Sequence, residues 1–133
     1  MYNNVLVPVA LDHAPTAEAA LKVARLLAGT DGKISALTVV EGIPPMVANE
    51  LPAGMLEHQR EATMEALKDH VGGDIEAHVV TGHAARTILD FAERIEADCI
   101  VIASHDPGIQ DYFLGSTAAR VVRHAHCAVH VVR

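Results

Sequence analysis

At 133 residues the chain has the length of one domain, and with half of its residues apolar it can bury a core without disulfide or metal staples. A net charge of −7, from 17 acidic against 10 basic residues and with no run of Lys or Arg, excludes the electrostatic footprint of a nucleic-acid binder. Two Tyr and two Phe in the whole chain are too few for a stacking platform for single strands. Cys99 and Cys127 sit in apolar segments and read as buried thiols in a reducing compartment. The opening MYNNVLVPVALDH has no basic region or cleavage site, and no stretch of about 18 apolar residues occurs, so a cytoplasmic protein without membrane insertion is expected.

Val5 to Ala10 reads as a first strand, apolar throughout and so covered on both faces. Asp12 to Pro15 form a turn, and Thr16 is the predicted N-cap of a helix with an inward face of Ala17, Ala20, Leu21, Ala24, Leu27 and Ala28. Gly29 is its C-cap, and Ile34 to Val40 is the second strand. The segment from Glu41 to Gly54 carries Pro44, Pro45 and Pro52 and exceeds an ordinary connection, which points to a lid or a partner surface. A second helix from about Met55 to Val71 has a weaker face of Leu56, Met64, Leu67 and Val71, ended by Gly72-Gly73. Ile75 to Val80 is the third strand, followed by a helix with Ala85, Ile88, Leu89, Ala92 and Ile95 at helical spacing. Cys99 to Ala103 is the fourth strand, Ala118, Val121, Val122 and Ala125 line the last helix, and Ala128 to Val132 is the fifth strand. This alternation implies one α/β domain, residues 1–133, with a mostly parallel, right-handed, doubly wound sheet.

In such a sheet ligands bind outside the carboxyl ends of the strands, where the strand order reverses. The loop after the fourth strand is long and polar and ends in Gly115-Ser116-Thr117 at a helix start. Unpaired amides and the positive end of the helix dipole favour a phosphate there, although an ordinary capped helix uses the same residue types. Ser116 has no activating base at a diagnostic spacing, His105 and Asp111 are the nearby groups able to orient a water, and no Walker-type lysine is present. A binding protein is therefore expected in place of an enzyme. His124, His126 and Cys127 form an H-x-H-C cluster without a second ligand pair, so no metal site is expected.

The first strand VLVPV, the second-strand ending LTVVE, V-x-x-G-x-A-A-x-x-I-L-x-x-A from Val79 to Ala92, AD-x-IVIAS and the ending GS-x-A with A-x-C-x-V-x-VVR resemble universal stress proteins over the whole chain. The loop SHDPGIQDYFLGS is most similar to a bacterial subgroup whose loop reads SH-x-P, then a Tyr and LLGS. The resemblance implies an open, Rossmann-like, five-stranded parallel sheet in the order 3-2-1-4-5 with four helices, akin to the adenine nucleotide alpha hydrolases. It also implies ATP as ligand, with Mg2+ as a possible companion. Carried over by position, Pro8, Val9 and Val39 flank the adenine, Ala103, Ser104, His105 and Asp106 run along the ribose and phosphates, and Gly115, Ser116 and Thr117 hold phosphate. The chain departs from the family pattern at three places. Ala103 and Asp106 stand at two loop glycines, the span between Asp106 and Gly115 holds eight residues where nine are usual, and Ala10 replaces an acidic residue for which Asp12 is the nearest substitute. Relatives pair the last strand across a two-fold axis, which implies a homodimer through Ala128 to Val132. The competing reading is a nucleotide-independent dimer that binds an unidentified protein through Glu41 to Gly54.

Overall fold

The computed structural model describes residues 1–12, 14–42, 45–104 and 114–133. Its elements in chain order are β1 (Asn4–Pro8), α1 (Ala14–Ala28), β2 (Lys33–Val40), α2 (Pro45–Ala48), α3 (Met55–Val71), β3 (Glu76–Thr81), α4 (Ala84–Arg94), β4 (Cys99–Ala103), α5 (Ser116–His124) and β5 (Ala128–Val132). All neighbouring strands pair in parallel in the order β3-β2-β1-β4-β5. The expected sheet and its four long helices are present, and α2 adds a single helical turn inside the proline-bearing segment.

Consecutive strand residues serve opposite layers, which is why the strands lack polar alternation. Val5, Val7, Ala36 and Val101 pack with Ala20 and Ala24 of α1 and with Leu67 and Val71 of α3. On the other face Leu6, Leu37, Ile100 and Ile102 pack with Ile88 and Phe91 of α4 and with Ala118 and Val121 of α5. Phe91 was absent from the expected face of α4, yet it is buried, with its ring centroid 4.9 Å from that of His78 on β3. Leu56 and Val122 depart the other way: both expected inward, they are 46% and 43% exposed, because the first two turns of α3 and the outer flank of α5 meet no neighbouring layer.

Two boundaries shift for physical reasons. α1 begins at Ala14, so Thr16 lies within its first turn and is not the N-cap. β1 stops at Pro8 and does not reach Ala10. The Val9 amide donates to the Leu37 carbonyl at 2.8 Å, so odd residues of β1 aim their peptides at β2 and even residues at β4. Pro8 faces β4 with no N–H to give, and the β1–β4 pairing ends at Leu6↔Ile100.

The opposite end of β1 is held by Asp98, whose carboxylate accepts the Asn3 and Asn4 amides at 2.8 and 2.9 Å. Burial pushes this carboxyl up, but the Asn3 and Asn4 amides, together with its own amide and the N-terminal charge, outweigh it, and its pKa is lowered from the ordinary value. A depressed folded-state pKa contributes stability above the unfolded value that is lost as pH falls through the folded one. The stability of the wild type is therefore expected to decline below about pH 4 more steeply than that of Asp98→Asn, measured by urea unfolding at a series of pH values. Parallel curves for the two proteins would contradict this role.

Burial pushes the Cys99 thiol up to about 11 and raises that of the partly buried Cys127, so both are poor sources of thiolate.

Candidate functional site

Past Pro8 the two central strands separate, and at the carboxyl edge of the sheet a cleft of about 460 Å³ opens. This is the switch point of the strand order, where β1 is followed on one side by β2 and on the other by β4. Of the residues expected from sequence, Pro8, Val9, Ala10, Asp12, Val39, Ala103 and Thr117 line it.

One wall carries a free peptide edge. The Gly82 amide donates to the Val40 carbonyl at 2.9 Å, so even residues of β2 face β3 and odd ones face β1. Leu37 uses its carbonyl on Val9, and the Val9 carbonyl accepts the buried Thr38 hydroxyl at 3.0 Å, which ends the ladder. The N–H and C=O of Val39 thus face the cleft with no partner among the described residues. Val9 plays a different part from the one expected: its side chain is 4% exposed and belongs to the core, and both of its peptide groups are engaged.

The other wall is the start of α5. The Gly115 amide donates to the Ser104 carbonyl at 3.0 Å and draws the helix against the end of β4. A Cβ at Gly115 would stand 3.0 Å from that same oxygen, so glycine is required there for space. The first helical bond runs from the Ala119 amide to the Gly115 carbonyl at 2.9 Å, and among the described residues no side chain caps the helix. The amides of Ser116, Thr117 and Ala118 consequently have no hydrogen-bond partner among the described residues.

This arrangement revises the expected phosphate seat. The Gly115 amide is already engaged, Ser116 is exposed outside the cleft, and Ser104 is buried with its amide on Val132 and its carbonyl on Gly115. Thr117 is the one member of the trio that lines the cleft. His105, Asp106 and the water-orienting candidate Asp111 lie outside the described residues.

Sequence reasoning missed Thr63 of α3 and Ala84 at the start of α4, which also line the cleft, as does Thr16 in its unexpected position. No local signal announces them, because each belongs to a different element and only the closed fold brings them to one edge. Asp12 is the single ionisable group among the described lining residues. Among the described residues, the positive end of α5 is therefore the main attraction for an anion.

Thr63 also borders a second, larger groove of about 950 Å³ between α3 and the ends of β2 and β3. Leu56, Met64 and Val40 line it, and the Arg60 guanidinium on its wall donates to the Val79 carbonyl at 3.1 Å. Among the described residues no cluster of three metal-ligating side chains occurs. His126 of the H-x-H-C sequence lies 3.4 Å from the Glu93 carboxylate.

A doubly wound parallel sheet with an open cleft at its switch point places the chain among α/β ligand-binding folds. The pattern defining the universal stress protein family matches residues 1–133, and the chain belongs to that family. Universal stress protein G of Salmonella typhimurium is 32% identical over 142 residues, covering all of both chains. Among solved structures, the universal stress protein UspA from Lactobacillus plantarum superposes with a TM-score of 0.72 at 28% identity, over 99% of this chain and 98% of that one. Two more distant structures share the fold. A universal stress protein in complex with cAMP has a TM-score of 0.62 at 24% identity over 99% and 97% of the two chains. The Archaeoglobus fulgidus protein in complex with dAMP has a TM-score of 0.64 at 20% identity over 99% and 98%. No described helix is long and apolar enough to cross a membrane.

Proposed function

We propose that this stress protein binds an adenine nucleotide in the cleft as a regulatory ligand, without fast chemistry. The observation that carries the reading is the pairing of two features across one cavity. The unpartnered Val39 peptide offers one donor and one acceptor to the edge of an adenine, and the open amides of α5 beside Thr117 offer a seat for a phosphate. Family members of this fold that hold cAMP and dAMP support it. ATP, the ligand the sequence resemblance implies, is accommodated with Mg2+ supplying positive charge that the described lining lacks. The test is acid release from protein purified without added nucleotide, followed by calorimetric titration. Adenine absorbance approaching one equivalent, or saturable heat, is expected; neither signal up to about millimolar nucleotide would overturn the reading.

We place the protein in the cytoplasm as a homodimer formed through β5. Ser104 donates to Val132, so Ala128, His130 and Val132 aim their peptides at β4, while Val129 and Val131 present theirs to the open edge. His130 is exposed on this strand. Two protonated imidazoles near a two-fold axis would repel, so sedimentation is expected to find more monomer at about pH 5.5 than at about pH 8. An equal monomer fraction at both would contradict the placement of His130.

A nucleotide-independent reading is favoured by one observation: Met46, Val47 and Leu56, at the proline-bearing segment and the start of α3, are 83%, 47% and 46% exposed. It holds if the protein releases no adenine, takes up none, and loses a partner on Leu56→Ser.

A further inference from the structure

We propose that the groove between α3 and the ends of β2 and β3 docks a basic amphipathic helix of a partner protein, whether or not the cleft holds a nucleotide. This gives a chemical class to the occupant of the exposed face at Met46, Val47 and Leu56, and it rests on reading that face as a docking surface.

The floor of the groove is apolar and its rim is acidic. Val40 from the end of β2, with Leu56 and Met64 from α3, lines the cavity of about 950 Å³, and Glu41, Glu57 and Glu61 line it beside them. All three carboxylates are exposed, and none has an ion-pair partner among the described residues. Glu57, Glu61 and Glu65 follow at four-residue spacing, so negative charge runs as a stripe along one flank of α3. The one Lys or Arg on the described lining, Arg60, commits its guanidinium to the Val79 carbonyl at 3.1 Å. Three of the four methionines, Met46, Met55 and Met64, lie on the segments that form or lead into the groove, and such unbranched side chains re-pack around apolar partners of different shape.

The Arg60 bond also decides the form of the occupant. Because the Gly82 amide bonds the Val40 carbonyl, even residues of β3 face β2, and odd ones, Val79 among them, face the outer edge of the sheet. An extended peptide that added there as a strand would meet a carbonyl already taken by Arg60. A helix needs no free peptide edge. It lays its apolar face on Val40, Leu56 and Met64 and brings Lys or Arg on its flanks to Glu41, Glu57 and Glu61. The same rim repels anionic lipid and nucleic acid, in a chain of net charge −7.

The probe is a fluorescein-labelled peptide of about 18 residues with Leu on one helical face and Lys on its flanks, titrated with the full chain and read by polarisation. A second peptide carries Glu in place of every Lys. The Lys peptide is expected to bind more tightly by about tenfold or more at low salt, and physiological salt is expected to narrow the difference. Glu41→Lys with Glu61→Lys is expected to reverse the preference, whereas Glu18→Lys with Asp31→Lys, the same change of net charge outside the groove, leaves it in place. Leu56→Ser is expected to weaken the Lys peptide by about tenfold. Equal affinity for the two peptides, with both weakened by Leu56→Ser, overturns the basic class and leaves an apolar docking face standing. Binding that ignores Leu56→Ser, a preference moved as far by the remote pair as by the groove pair, or no binding up to about millimolar peptide overturns the docking face as well. Self-association of the chain that Leu56→Ser abolishes gives the groove to a second copy and overturns the partner.

Discussion

Thr117→Glu is expected to weaken adenine nucleotide binding by about a hundredfold or more while making the fold slightly more stable. Thr117 is the second residue of α5 and lines the cleft. A carboxylate there lies within the first turn, where the helix dipole favours negative charge by about 0.3–1 kcal/mol, so the helix does not suffer. The same carboxylate competes for the open amides that a phosphate would use and repels the phosphate directly. Stability and binding are thus expected to move in opposite directions, which no general disruption of the fold would produce. Calorimetry and a thermal melt on one sample read both. Unchanged binding would remove the phosphate from α5, and a lowered melting temperature would remove the helix-dipole argument. Gly115→Val is less informative than the sequence suggests: its Cβ would crowd the Ser104 carbonyl at 3.0 Å and shift the start of α5 whether or not a ligand binds there.

Gly32→Ala is expected to destabilise the protein by about 3 kcal/mol, at the upper end of what overpacking costs. The added methyl would stand 2.4 Å from the Ala28 carbonyl oxygen, 2.5 Å from that of Tyr2 and 2.8 Å from the Ala28 Cα. All three are backbone atoms and cannot rotate aside. They belong to the point where the end of α1 crosses the starts of β1 and β2. The Tyr2 amide meets the Leu27 carbonyl at 3.0 Å, Gly32 meets Ala28 at 3.0 Å, and Lys33 meets Asn3 at 2.9 Å. Relief of the contact must break part of this junction. It lies at the opposite end of the strands from the cleft, so nucleotide affinity of the folded protein is expected to be unchanged. A denaturant midpoint shifted by less than about 1 kcal/mol would show that the junction yields more easily than its geometry implies.

The architecture was legible because its signals are local. Cys99–Ala103 is a continuous apolar run, Ala128–Val132 is one interrupted by His130 alone, and the helix of Ala85, Ile88 and Ala92 repeats at its own period, so pattern and fold coincide. Gly29 and Gly72 likewise mark their helix ends, each with a positive φ. What sequence did not carry was the identity of groups already engaged. Gly115 reads as a phosphate donor until the Ser104 carbonyl takes its amide, and Val9 reads as a ligand contact until Thr38 and Leu37 take its peptide groups. Val39, by contrast, is open only because Pro8 and Val9 end the strand beside it, a consequence of register. Thr16 and Thr63 reach the cleft from separate helices, and no spacing along the chain links them.

The most direct test of the cleft as an adenine nucleotide site is a titration of 15N-labelled protein with AMP followed by amide chemical shifts. The amides of Val39, Thr117 and Ala118 are expected to move together along one saturable curve, with Val129 and Val131 on the outer edge of β5 unaffected. Amides at the cleft that stay fixed up to about millimolar AMP, or shifts confined to the Leu56 and Arg60 groove, would contradict it.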